Sequence, residues 1–585
     1  MSLSQSTLEA HLNDPAVLCC QRPAGTVLGA QDFEDPAIFD DMIESNLMTL
    51  TRNGLTIGQA LGATLTSGGE ALTQLTPDLL DGVAEISDGA PTAPAESPAP
   101  APEAPLPATT SEGAAAPGYL RLHVKEAKDL DLVLPIPGDR LPAGSSPVAT
   151  GAGPASEAPA QERVLRTLVK KHYPVTSVVV GATTSYDGRV LTIDGSLVDA
   201  ATAADPLVKK VTLDVIAPQD RHVYSNTIMD VIPVAAKAEG ALGEGVTNVL
   251  QGAVFVLTGM DEAGVQIHEF GSCEGFMDEK IRFGRPGCPD EGDIMIRVDV
   301  QIDEGTGMER RGPFAAHSAC DVIIHAIRDR IGDLSGLAPV AEETFKDVRR
   351  PDRPRVVLVK EIMGQGAMHD NLLVPAEPCG IQGGEKNVDM GNVPVVLSPN
   401  EVLDGGIHAL ACIGPATKEI TRHFFREPLV EALQTDDEVD LTGVVFIGSP
   451  QVNDEKTYVS SRLGALVEAM DVDGAIVTTE GFGNNHIDFS MNISAIGSRG
   501  IPVVGVTFAA YQGQLVVGNQ YMDAMVELNK DPGGLENEIL AENTLTEDDS
   551  RRAILMLKNK MSGIEIDPPE RRWDGDVIKA NQKLV

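Results

Sequence analysis

Positive charge is scarce in this sequence. Its 45 Lys+Arg stand against 86 Asp+Glu, a formal net charge of −41, which repels phosphate backbones and anionic lipid surfaces. Nucleic-acid binding is excluded on that ground. Long apolar runs are also missing: nothing approaches the roughly 18 residues of a membrane-spanning helix. The start, MSLSQSTLEAHLNDPAVLCC, has no basic segment ahead of an apolar one. A cytoplasmic protein without a membrane partner is expected. Cysteine is sparse, seven in 585 residues, at 19, 20, 273, 288, 320, 379 and 412, with no CxxC pair. That pattern argues against a disulfide framework or a four-thiolate zinc site. A thiol with a chemical role is expected to act alone, and Cys19 and Cys20 read as core residues.

What is present is enough apolar material, 42% of 585 residues, to bury several cores, so two to four domains are expected. Residues 89–117, GAPTAPAESPAPAPEAPLPATTSEGAAAP, are dominated by Pro and Ala and predict an extended spacer, as does the stretch 141–161. Residues 1–88 are expected to form a small β-rich module. Between the linkers, 118–140 alternates apolar residues at Leu120, Leu122 and Val124, the pattern of a half-buried strand, and is expected to pair with the short strands around LTIGQALGATLTSGGEAL. From 162 to 350, runs such as SVVVGATTSYDGRVLTIDG, GAVFVLTGMDEAGVQIHEF and DIMIRVDVQI predict strands. They are closed by a helix carrying Ala316, Cys320, Ile323, Ile327 and Ile331, one α+β domain.

From 351 to 585 the order becomes β then α repeatedly. RVVLVKEIM, GVVFIGSP, GAIVTTEGFG and IPVVGVTFA read as strands and KTYVSSRLGALVEAM as a helix, which predicts an α/β domain on a parallel sheet with right-handed crossovers. Ligands of such sheets sit beyond the carboxyl ends of the strands.

Several residues in this frame are of the types that do chemistry. In GGIHALACIGPATKEITRHFFREPLVEAL, a strand is expected through Ile407 to Cys412, broken by Gly414 and Pro415 ahead of a helix. A thiol just before a helix N-terminus is biased towards thiolate; a small residue in a buried strand is the other reading of Cys412. His408, four residues earlier, would share its side of the strand and could act as a base, or be an ordinary satisfied histidine. In EGFGNNHIDF, Gly481 and Gly483 mark a strand-to-helix turn whose N–H groups could hold a substrate carboxylate, lined by Asn484, Asn485 and His486; a plain tight turn is the alternative. The spacing is not a dinucleotide fingerprint, and neither NAD nor flavin is expected. Arg422 and Arg426 could pair with a carboxylate or stand solvated. His317, Asp321 and His325 fall at i, i+4 and i+8, one helix face that could suit a metal, but a fourth ligand is missing, an ordinary polar face is the favoured reading, and no metal is expected.

Beyond these patterns, the segment ALACIGPATKE resembles the self-cleaving segment of the D-proline reductase proprotein family. PAVLCC, LTIGQALGATL, GEGVTNVLQGAVFVLTG, IHEFGSCEGFMDEKIRFGRPG and VGVTFAAYQGQLVVGNQYMDAMVELNK resemble it too, so the likeness spans nearly the whole chain apart from the linkers. The component B precursors of glycine, sarcosine and betaine reductases are similar more loosely, for example around GEGVTNVLQGAVFVLTG. The resemblance implies that Cys412 is the precursor of a pyruvoyl group. Its thiol attacks the carbonyl of Ala411, elimination leaves a dehydroalanine, and hydrolysis leaves the pyruvoyl on a new chain start. The products would be chains of 411 and 174 residues. A hydroxylated residue is expected before the cysteine, and Ala411 stands there instead.

The resemblance further implies that the ketone condenses with the ring amine of D-proline to an iminium, and that a selenocysteine on a partner subunit opens the ring to 5-aminovalerate. A dithiol or an electron-transfer protein would clear the partner. Hence a hetero-oligomer is expected. Two other readings compete: a glycine-, sarcosine- or betaine-type reductase component B precursor, and an uncleaved paralogue that scaffolds the complex or docks an electron carrier.

Overall fold

Strand patterns in which every residue is apolar demand cover on both faces, and the computed structural model supplies it twice. It describes residues 8–14, 16, 27–33, 56–65, 80–81, 118–126, 128–136, 162–267, 273–307, 311–362, 392–408, 420–450, 453–479, 484–508, 519–530, 539–564 and 566. Two units are present: residues 89–159, and the rest of the chain. In the smaller unit Gly118–Glu126 and Lys128–Ile136 pair antiparallel as a hairpin. The segment expected as one half-buried strand is thus two strands that pair with each other. In the N-terminal stretch, Thr64–Leu65 pairs with Leu80–Asp81 and bridges to Val27.

The central sheet contains β1 (Arg163–Pro174), β2 (Val208–Ile216), β3 (Thr227–Glu239), β4 (Gly245–Asp261), β5 (Ile294–Ile302) and β6 (Ala341–Arg349), with helix α1 (Arg311–Ile331) packed on it. The strand order is β6-β1-β4-β5-β2, and β3 lies antiparallel to β4. The 17-residue β4 changes neighbours at its middle: Gly245–Gln251 pairs with β1 and Ala253–Asp261 with β5, both parallel. Gly252 is the pivot, at φ +98, where a Cβ would come 2.5 Å from the Val175 carbonyl oxygen. Only glycine meets both conditions. On α1 the expected face of Ala316, Cys320, Ile323, Ile327 and Ile331 is buried throughout.

The second sheet contains β7 (Arg355–Glu361), β8 (Val395–Leu397), β9 (Asp440–Ile447), β10 (Gly474–Thr479), β11 (Val503–Thr507) and β12 (Met525–Glu527). Its order is β8-β9-β7-β10-β11-β12, parallel except for β8. Alternation by two sends Val356, Leu358, Val444 and Phe446 into one core and Val357, Val359, Val445 and Ile447 into the other. The first core is covered by α2 (Pro399–Leu403), α3 (Thr421–Phe425), α4 (Pro428–Thr435) and α7 (Glu547–Met561). The second is covered by α5 (Asn453–Ala469) and α6 (Asn484–Gly497). No described helix is long and apolar enough to cross a membrane.

The strand expected through Ile407 and His408 is not formed: residues 404–408 follow α2 without regular structure. Gly405, at φ +89, and Gly406, where a Cβ would meet the Glu401 carbonyl oxygen at 2.6 Å, turn the chain back over α2 instead of extending it.

Candidate functional site

Ala411 and Cys412 lie outside the described residues, as do Gly481 and Gly483. The two ends of the segment holding Cys412, residues 404–408 and 420–422, are fixed by the central sheet. On the entry side, Asp404 accepts from the Lys237 ammonium at 2.5 Å, from the Gly243 N–H at 2.8 Å and from the Thr247 hydroxyl. Asn400 donates to the Gly243 carbonyl at 3.1 Å. The turn between β3 and β4 is thereby clamped onto α2.

On the exit side, Asp230 of β3 accepts from the Thr421 N–H at 2.9 Å and the Thr421 hydroxyl at 2.6 Å. The same carboxylate lies 3.1 Å from Nε2 of His317 and 3.6 Å from Nε2 of His408. The two imidazoles meet edge to face, 5.0 Å between centroids, and Asp230, His317 and His408 are all buried. His317 Nδ1–H donates to the Pro313 carbonyl at 2.8 Å. Burial works against charge on His317, yet the hydrogen bond and charge of Asp230 hold its pKa above the usual imidazole value. Asp230 thus joins a residue before the Cys412 segment to one after it. Sequence reasoning did not single out Asp230, Asp404 or Thr421. It did single out His317, but with partners on its own helix: Asp321 is buried there and His325 is exposed, so the three do not converge.

A cavity of about 700 Å³ opens beside this frame, lined by Lys237, Thr247, Arg328, Asp404, Thr421 and Phe425 among others. A second, of about 940 Å³, reaches Lys170. That lysine is buried, and burial lowers its pKa to about 8. Its ammonium donates to the Phe425 carbonyl at 2.8 Å and lies 3.6 Å from the centre of the Phe425 ring, which caps the end of α3.

Arg422 is neither solvated nor open. Its guanidinium donates to the Cys288 carbonyl at 2.7 Å, to Asp293 at 2.8 Å and to Asp290 at 3.0 Å, and Arg426 also holds Asp290. Asn484 and Asn485 open α6, directly after β10. At the carboxyl ends of β7 and β10, where strand order reverses, Glu361 accepts from Thr479 at 3.1 Å and from Asn492 at 2.9 Å. Lys456 and Ser449 are bound to Asp488 beside them. Of the cysteines, Cys273, Cys288 and Cys320 are described, buried and in no disulfide; burial pushes the thiols of Cys288 and Cys320 up, which suits packing and not nucleophilic work.

His486 points inward, with Nε2 3.0 Å from the Thr507 hydroxyl, and burial lowers its pKa to about 3. His423 is likewise buried and pushed well below the usual value, by desolvation and then by Lys360. An unfolded histidine titrates near 6.5, so as pH falls below about 6.5 the unfolded chain binds protons that the folded chain refuses, at His486 down to about pH 3 and at His423 likewise. Stability is therefore lost as pH falls through that window, by roughly 1 kcal/mol per pH unit for each histidine. Denaturant midpoints at pH 7 and pH 5 should show this fall, and His486→Gln should reduce it by one proton's worth.

The comparisons with known proteins fit this frame. The D-proline reductase proprotein PrdA of Acetoanaerobium sticklandii is 49% identical over 602 aligned positions, covering 100% of this chain and 95% of that protein. The chain belongs to the D-proline reductase proprotein family. Residues 336–528 match the family model of glycine/sarcosine/betaine reductase component B subunits, a span running from β6 to the end of the second sheet and enclosing Cys412. The sarcosine reductase complex component B subunit alpha of Peptoclostridium acidaminophilum is 26% identical over 57% of this chain and 77% of its own length. The glycine reductase complex component B subunits alpha and beta of A. sticklandii are 24% identical over the same shares. No solved structure matches.

Proposed function

We propose that the chain is the precursor of the pyruvoyl subunit of D-proline reductase, cleaved between Ala411 and Cys412. The observation that carries this is full-length likeness, at 49% identity, to a D-proline reductase proprotein; likeness to the glycine- and sarcosine-type relatives covers only 57% of the chain. Both flanks of the Cys412 segment are pinned, by Asp404 and by Asp230, which limits the loss of order when the peptide bond between them is cut. The pyruvoyl carbonyl, once formed, supplies an electrophile for the secondary amine of D-proline. His408, held in the buried cluster with Asp230, lies three residues before Ala411. The cavity beside Thr421 and Asp404 has room for an amino acid. The substrate carboxylate is assigned to the segment of Gly483, Asn484 and Asn485 that the sequence offers for it. His486 turns to Thr507 and Arg422 to Asp290 and Asp293, so neither is assigned a contact with the substrate.

Ring opening requires a nucleophile at the Cα of proline and two electrons, which are assigned to a selenocysteine-bearing partner subunit in the cytoplasm, regenerated by a dithiol or an electron-transfer protein. Borohydride trapping separates the substrates. With mature protein, D-proline is expected to be fixed to the 174-residue chain, with glycine and sarcosine fixed at least about tenfold less. Betaine, which has no N–H, should not be trapped at all. Equal trapping of glycine or sarcosine would favour the component B reading, and an uncleaved chain would favour a scaffold.

A further inference from the structure

Asp230 on β3, His317 on α1 and His408 beyond α2 bring one carboxylate oxygen and two ring nitrogens within 4.8 Å of one another. We propose that this triad binds a divalent first-row transition ion, with zinc as its best-fitting occupant. This departs from the metal-free enzyme expected from the sequence.

Spacing is the first argument. Donors bonded at about 2.0–2.1 Å to a tetrahedral ion lie about 3.3 Å apart, and the distances from Asp230 to His317 and His408, 3.1 and 3.6 Å, bracket that value. Orientation is the second. The Pro313 carbonyl behind His317 Nδ1 turns Nε2 towards the site, and a hydrogen-bond acceptor behind a ligating imidazole is what fixes its tautomer and aim. Thr421 fixes the carboxylate in the same way through its N–H and hydroxyl. Donor type is the third: two imidazoles and a carboxylate suit zinc, iron or cobalt, whereas magnesium and calcium prefer oxygen alone. Charge agrees, because buried Asp321, one turn along α1, adds a second carboxylate acting on His317. The fourth position would fall to solvent or to the Thr421 hydroxyl.

The three ligands come from separate elements, so an ion there would lock the residue preceding the Cys412 segment onto the central sheet. Without an ion, the same atoms make an imidazolium–carboxylate pair, and experiment distinguishes the two. The full-length protein, purified without chelators or a histidine tag, should carry about one zinc per chain by elemental mass spectrometry. After stripping and titration with Co²⁺, it should develop the visible absorption of a four-coordinate imidazole site. Asp230→Asn and His408→Ala should abolish stoichiometric binding, and Thr421→Val should weaken Zn²⁺ by about 10–100-fold. X-ray absorption of the wild-type ion should show two imidazoles and needs no variant to fold. Background metal with no Co²⁺ spectrum would overturn the site in favour of the ion pair. An ion that persists in both ligand variants would place it elsewhere and overturn it equally. Neither readout depends on cleavage or on D-proline turnover.

Discussion

Replacing Cys412 with alanine is expected to leave a single 585-residue chain with no D-proline turnover. The reasoning is chemical. Cleavage at this peptide bond needs a side-chain nucleophile that can take the Ala411 acyl group and then leave from the β carbon. The sulfur departs with that acyl group as a thiocarboxylate, and water displaces ammonia from the dehydroalanine to leave the ketone. Alanine has neither nucleophile nor leaving group, so both the cut and the electrophile vanish together. Serine has both, with a poorer leaving group, so Cys412→Ser is expected to mature slowly and to recover part of the activity. Intact-mass analysis reads this directly: wild type is expected to give chains of 411 and 174 residues, the shorter gaining mass with borohydride and an amine, and Cys412→Ala neither. Cleavage persisting in Cys412→Ala would sink the assignment of this residue. Because Cys273, Cys288 and Cys320 are buried and in no disulfide, alanine at those positions should cost packing and leave maturation intact.

Much of the second sheet could be read from the sequence. Runs such as VVLV and VVFI have apolar residues at every position, and the residues between them repeat at helical spacing, so a doubly covered parallel sheet was the economical solution. The alternation of Val356 and Val357 into opposite cores is the period of two made visible. What failed was local context around His408. Ile407 to Cys412 is apolar enough for a strand, but Gly405 and Gly406 just before it permit a turn that a propensity argument does not weigh.

Asp230 was legible in principle, since a carboxylate inside TIMDVIPV must find partners once buried. Which partners it finds could not be read, because His317 lies 87 residues away and Thr421 lies 191. Helix periodicity suggested partners for His317 at i+4 and i+8, and tertiary packing chose β3 instead. The same holds for Arg422: its helix was foreseen, but the acids that occupy it sit on a turn 129 to 132 residues earlier.

Removing the Arg422 guanidinium is expected to cost about 3–5 kcal/mol of stability, because it leaves Asp293 buried and uncompensated. Arg422 is itself almost fully buried, its side chain 6% exposed against 4% for Asp293. Arg426 directs both guanidinium nitrogens to Asp290, so it is committed to that carboxylate and not to Asp293. Arg422→Lys keeps the charge but offers no fork for two carboxylates and a carbonyl, and should recover only part of the loss. Arg422→Met with Asp293→Asn removes both charges and should recover more than either single change. Denaturant midpoints of the four variants test this. A substrate-binding arginine would behave otherwise: its loss would raise the KM for D-proline while leaving the midpoint nearly unchanged. The geometry predicts the reverse, a shifted midpoint with KM for D-proline within about twofold of wild type in whatever fraction stays folded. That outcome would establish Arg422 as the bolt joining α3 to the 288–293 turn, holding the exit of the Cys412 segment against the central sheet.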